Sequence, residues 1–340
     1  MHSVQSLLTS ITAAVALTLS VPSTSWADDP IPVVATFSVL GDMVKRIGGE
    51  HISLTTLVGA DGDTHVYQPT PQAARVVAEA DVLFINGLGF EGWLERLVEA
   101  APFGGSLVVA TTGIEPIAFG GHDDHEEGHE EGHEEGHEEG HEEGHEEEHE
   151  EEHEEEATEH HGEYGAFDPH AWHSFTNAIV YANNIAAGLA QVDPTNAGSY
   201  YQNHQIFVNE IRALKAEADV LMAALPIDKR TVVTPHDGFG YFADLYNLRF
   251  EAPQGLSTES EASAADVAKL ILLIRKQEIS AVFIESITDN RLMEQIANET
   301  GAVIGGKLYS DALSSEDQPA STYLDMMRHN TKTLSQALGD

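Results

Sequence analysis

Two sets of residues in this sequence have the chemistry to hold a metal ion. The first is the run from Gly121 to Glu163, which contains eleven His, twenty-one Glu, two Asp and no Lys or Arg. Imidazoles and carboxylates offered together attract divalent cations. The repeat His-Glu-Glu-Gly has a period of four, which would align His on one face of a helix. Gly128, Gly132, Gly136, Gly140 and Gly144 oppose that helix at about 1 kcal/mol each relative to Ala, and repulsion among the Glu adds to the cost. The run holds no Leu, Ile, Val or aromatic residue to bury, so it cannot build a core. It reads as a disordered loop. Its His122, His125, His129, His133, His137, His141, His145, His149, His153, His160 and His161 are expected to act as a low-affinity collector of several ions, not as one ordered site.

The second set is scattered, and only a fold can gather it. His65 lies in the loop after a short apolar strand, His170 in an Asp-Pro-His-Ala-Trp loop, His236 directly after a strand and Asp311 shortly after another, and each is flanked by Gly, Pro or Asp. The strands are Pro32–Phe37, Ile52–Val58, Asp81–Asn86 and Leu107–Ala110 before the acidic run. After it come Arg230–Thr234, Leu248–Ala252, Ala281–Ile284 and Ala302–Ile304. Helical segments alternate with them, with Ser38 as the expected N-cap of the first and Pro71 in the first turn of the second. Alternation of this kind predicts parallel α/β layers, and in such sheets ligands bind beyond the carboxyl ends of the strands. Residues 195–225 carry a long helical pattern without Pro, long enough at 1.5 Å per residue to span about 45 Å and bridge two lobes. The fold class expected is α/β, two (β/α)-type lobes joined by that helix, with a metal site in the inter-lobe cleft. The divisions are a signal peptide (1–27), an N-terminal lobe (28–194), the linker helix (195–225) and a C-terminal lobe (226–340).

Composition narrows the function. Of the net charge of −41, the acidic run accounts for all but −18. A chain this acidic is a poor partner for nucleic acid or an anionic membrane surface. There is no Cys, which removes disulfides, thiolate metal sites, Cys nucleophiles and a lipid anchor on Cys. Leu7–Leu19 resembles the apolar core of a secretory signal, and Ser25-Trp26-Ala27 a small-x-small cleavage site. The expectation is an exported periplasmic protein that begins near Asp28.

Several segments together resemble the zinc/manganese-type solute-binding proteins of ABC metal importers, the ZnuA-like family. They are GDTHVYQPTP (62–71), NGLGFEGWLERL (86–97), FDPHAWHS (167–174), TPHDGFGYFADLYNL (234–248), FIESITDN (283–290) and GGKLYSDALS (305–314). The resemblance implies two lobes around one metal ion, with His65 and His170 from the first lobe and His236 and Asp311 from the second. Gln68 stands where the family usually has Glu, and His173 where it usually has a hydrophobic residue. Neither is expected to be a ligand. Glu285 and Asp237 are candidates to orient a ligand from behind.

Three imidazoles and one carboxylate suit four-coordinate Zn²⁺, whereas Mn²⁺ prefers more oxygen donors. The function expected is capture of Zn²⁺ and its delivery to an ABC transporter permease by a monomer, with a periplasmic metallochaperone as a further candidate partner. Rearrangement of loops is expected to matter more than wide closure of the lobes. A manganese-type binding protein or adhesin, or a zinc buffer, is the alternative. A zinc hydrolase is disfavoured, because a fourth protein ligand closes the site and no HExxH helix supplies a base.

Overall fold

The computed structural model describes residues 29–118 and 167–339. The predicted signal peptide and the His/Glu run at 121–163 lie outside the described residues. The first lobe is built on a parallel sheet in the order β2-β1-β3-β4, from β1 (Ile31–Phe37), β2 (Ile52–Val58), β3 (Val82–Ile85) and β4 (Ser106–Val109). Val33 to Phe37 and all of β3 are buried, as central strands covered on both faces must be. The helices α1 (Ser38–Gly48), α2 (Pro71–Ala78), α3 (Leu94–Ala100) and α4 (Phe175–Val192) complete this lobe. Thr70 caps α2 by accepting from the Ala73 amide at 3.1 Å, and Pro71 occupies the first turn, where no donor is lost.

The long helix α5 (Ala197–Ala223) comes next. Its 27 residues extend over about 40 Å at 1.5 Å per residue. It lies against α1 and α4 of the first lobe and against α6 (Gly240–Tyr246) and α9 (Tyr323–Gly339) of the second. The second lobe holds two parallel pairs, β5 (Thr231–Val233) with β6 (Arg249–Glu251), and β7 (Ala281–Glu285) with β8 (Val303–Leu308). The helices α7 (Ala264–Gln277) and α8 (Arg291–Thr300) pack against this lobe's own small core around Leu270, Ile274, Val282 and Ile296.

The larger core does not stop at the lobe boundary. It runs from Val33 and Trp172 through Phe239, Leu308 and Tyr323. Prising the lobes far apart would expose this shared apolar surface at about 25 cal/mol per Å².

The segment between β8 and α9 also crosses the boundary. By sequence it belongs to the second lobe, yet its backbone is held by the first. The Leu313 amide donates to Ser38 Oγ at 2.9 Å, and the Asp61 amide donates to Leu313 O at 2.8 Å. The Ser315 amide donates to Asp61 Oδ2 and the Tyr323 amide to Asp42 Oδ2. Ser38 is therefore not the N-cap of α1, as its position before an apolar run suggested. Phe37 takes the cap position without a side-chain bond, and the Ser38 hydroxyl serves the crossing segment instead.

Candidate metal centre

Each of the four gathered residues is fixed by its own loop. After β2, Asp63 Oδ1 accepts the His65 amide at 2.9 Å, and Trp93 Nε1 donates to Thr64 O at 2.8 Å. Before α4, Asp168 Oδ1 accepts the His170 amide at 2.9 Å. Asn86 Nδ2 donates to Pro169 O at 2.9 Å. The Asn86 amide in turn donates to Glu91 Oε1 at 2.6 Å, which also takes the Thr36 hydroxyl at 2.6 Å. Burial raises the Glu91 carboxyl, against the pull of these donors. After β5, the Thr234 hydroxyl donates to His236 O at 3.0 Å. Gly238 and Gly240 follow because nothing larger fits. A Cβ on Gly238 would stand 2.6 Å from His236 Nε2, and one on Gly240 2.3 Å from Asp168 Oδ2.

The result is one cluster. His65, His170, His236 and Asp311 each present a ligand atom, and these atoms lie within 4.8 Å of one another. His170, His236 and Asp311 are fully buried, and His65 is 8% exposed, so access runs past His65. Asp311 Oδ2 is 3.0 Å from His65 Nε2 and 3.4 Å from His236 Nε2, while Oδ1 is 3.5 Å from His170 Nε2. A tetrahedron with bonds of about 2.1 Å has edges of roughly 3.4 Å, so these separations are those of donors around one ion. The three Nε2 atoms and both Asp311 oxygens have no hydrogen-bond partner among the described residues. Buried polar atoms without partners cost several kcal/mol in aggregate, which a bound cation would recover.

Behind the cluster stand two carboxylates. Asp168 Oδ1 is 2.7 Å from His170 Nδ1, and Glu285 Oε2 is 2.7 Å from His236 Nδ1. The bond between His170 Nδ1 and Asp168 turns Nε2 of that ring toward the cluster, and Glu285 stands against the His236 ring and accepts the His236 amide through Oε1 at 3.3 Å. Glu285 is itself held by the Ser310 hydroxyl at 2.6 Å. Burial alone would keep these rings neutral, but the acids prevail. Asp311 and Asp168 raise His170 to about 9, and Glu285 and Asp311 raise His236 well above the ordinary imidazole value. The same contacts outweigh burial at Asp311 and hold its carboxyl well below the usual range.

Of the two residues expected to orient ligands, Glu285 reaches a ring and Asp237 does not. Asp237 is half-buried, its carboxyl is raised by burial and by Asp168, and its amide donates to Gly255 O. Asp168 fills the role instead. Its place two residues before His170 was the available signal, because that spacing lets one carboxylate bond both the amide and the ring. Asp63, another nearby acid, shapes the His65 turn and also accepts the Thr258 hydroxyl at 2.6 Å across the cleft. Gln68 is exposed. His173 is fully buried and packed, not at the surface.

The sequence from 33 to 337 matches the family model described as zinc-uptake complex component A, periplasmic. The chain is 27% identical over 315 residues to the manganese-binding lipoprotein MntA of Halalkalibacterium halodurans, covering 93% of this chain and 91% of the relative. It is 29% identical over 308 residues to the iron-binding protein YfeA of Yersinia pestis, covering 90% and 86%. Its fold superposes on the periplasmic zinc-binding protein TroA of Treponema pallidum with a TM-score of 0.75 at 25% identity, over 92% of this chain and all of the other. The relatives are solute-binding proteins and not enzymes. With its two lobes and the matching model over most of its length, the chain belongs to the ZnuA family of substrate-binding proteins of metal ABC transporters.

Proposed function

We propose that the chain captures Zn²⁺ in the periplasm at His65, His170, His236 and Asp311 and delivers it to the membrane permease of an ABC importer. The observation that supports this reading is the convergence of three imidazole Nε2 atoms and one carboxylate, all without hydrogen-bond partners among the described residues, within 4.8 Å of one another. Zn²⁺ sheds water and displaces protons from the raised imidazoles as it enters. Asp311, Asp168 and Glu285 together oppose its charge. The division into lobes at 28–194 and 226–340 with a linker at 195–225, and export of a chain beginning near Asp28, belong to the same proposal.

The His/Glu run has a place in this reading. Ala118 and Phe167 form an antiparallel bridge, and the Asp168 amide donates to Ile117 O at 2.9 Å. The two described residues that flank the 119–166 sequence are thus paired three residues before His170. An accessory collector tethered there would raise the local supply of zinc at the cleft.

A second reading, capture of Mn²⁺ or Fe²⁺, draws on one feature. Both oxygens of Asp311 face the imidazoles, and a bidentate carboxylate would give the higher coordination those ions prefer. The test is competition titration of the metal-stripped chain with Zn²⁺ and Mn²⁺ against a chromophoric chelator. One tight equivalent of Zn²⁺, with Mn²⁺ bound more weakly, is expected. Tighter binding of Mn²⁺ would favour the second reading. A tight equivalent retained by His65→Ala would remove the cleft site.

A further inference from the structure

His173 is a buried imidazole outside the ligand set, where the family resemblance led one to expect a hydrophobic residue. Its ring lies against Phe239, with centroids 4.7 Å apart. Its Nε2 is 3.0 Å from Ser310 O, and its Nδ1 has no partner among the described residues. Burial, helped by His170, lowers it to about 3, so it is neutral. The carbonyl can only accept, so the proton sits on Nε2 and donates to it. Trp172 Nε1 donates to the same carbonyl at 3.0 Å.

Ser310 is a junction. Its carbonyl receives two donors from the first lobe, its hydroxyl holds the Glu285 carboxylate that backs His236, and its next neighbour is Asp311. Tyr323 OH closes the arrangement by donating to Trp172 O at 2.9 Å. A hydrophobic residue at 173 could pack on Phe239 equally well, but it would leave the carbonyl with Trp172 alone.

We infer that His173 is a positioning residue, whose Nε2–H fixes the Ser310 carbonyl and through it the reach of the Asp311 carboxylate to the ion. It does not touch the metal. The inference rests on the proposed metal site, and its test separates the two.

Wild type, His173→Phe and His173→Gln are titrated with Zn²⁺ alone by chelator competition, and their Co²⁺ complexes are recorded in the visible. His173→Phe keeps the aromatic packing and removes the donor. His173→Gln restores a donor without the ring. The expected result is about a tenfold loss of Zn²⁺ affinity in His173→Phe, the worth of one net hydrogen bond, with a shifted Co²⁺ ligand-field spectrum. In His173→Gln both should return to within about threefold of wild type and to its band positions. Wild-type affinity and spectrum in His173→Phe would overturn the inference, as would equal losses in both variants, which would assign the effect to ring packing. Absence of stoichiometric binding by wild type would instead remove the metal site itself. Should His173→Phe not fold, the ¹⁵N resonances of the wild-type ring decide. A protonated Nε2 and bare Nδ1 from pH 5 to 8 support the donor, and the opposite tautomer or a charged ring overturns it.

Discussion

Acid should weaken metal binding and strengthen the empty protein, and the two effects share one origin. In the metal-free cluster His170 is held near 9, and His236 is also raised. A divalent ion needs both rings neutral. With a value near 9, about one molecule in a hundred has a free His170 at pH 7. Apparent affinity should therefore rise about tenfold per pH unit between 6 and 8 on His170 alone, and more steeply with His236. Stability of the metal-free protein runs the other way. A ring raised in the folded state from 6.5 to about 9 contributes its full stabilisation below 6.5 and loses it as pH climbs through 9. The assay is chelator competition at pH 6, 7, 8 and 9, corrected for the chelator's own protonation, beside thermal melts of stripped protein at each pH. Proton release can be read independently, from calorimetry in buffers of different ionisation enthalpy. Affinity flat across this window, or a metal-free protein more stable at pH 9 than at pH 6.5, would refute the charge assignment of the cluster.

Other outcomes test the parts. Asp168→Asn should lower Zn²⁺ affinity about 10- to 100-fold without changing the stoichiometry, the usual cost of losing a carboxylate behind a ligating His; isothermal competition measures it. Asp237→Asn, which removes no contact with a ligand ring, should stay within about threefold of wild type in the same titration. Glu285→Gln should cost more than Asp168→Asn, because it loosens both His236 and Ser310, and should shift the Co²⁺ spectrum. Deletion of residues 121–163, which leaves a short connection between Ala118 and Phe167, should leave one tight equivalent of Zn²⁺ intact while abolishing the additional weak equivalents, counted by equilibrium dialysis.

Much of the framework could be read from the residue pattern, because strands such as Val82–Ile85 are apolar throughout and helices such as α1 and α8 end at Gly. Three of the four clustered side chains were legible for a related reason, since His65, His236 and Asp311 lie in loops after β2, β5 and β8, whose ends point to one side of a parallel sheet, while His170 stood out by its Asp-Pro-His motif. The apolar pattern Ala302–Ile304 covers only the first part of β8. Its Gly305-Gly306 pair looks like a turn, yet the strand continues to Leu308 through a register shift opposite Val282 and Phe283. The roles of Ser38 and His173 were not legible, because each depends on a partner from a distant segment, whereas Asp168 left a signal in its spacing from His170. Nor could the sequence show that the segment carrying Asp311 is bonded to the opposite lobe, since spacing along a chain says nothing about which surface a loop lands on.

The bridge between Ala118 and Phe167 has a consequence for how this gene can drift. Because Ala118 and Phe167 already meet on the folded body, the number of residues between them is not set by a distance they must cover. Doubling the length of such a connection raises its closure cost by only about 0.6 kcal/mol. Units of His-Glu-Glu-Gly can therefore be gained or lost by replication slippage almost without penalty to folding. The repeat number can then vary while Ala118, Phe167 and the four clustered residues keep their places.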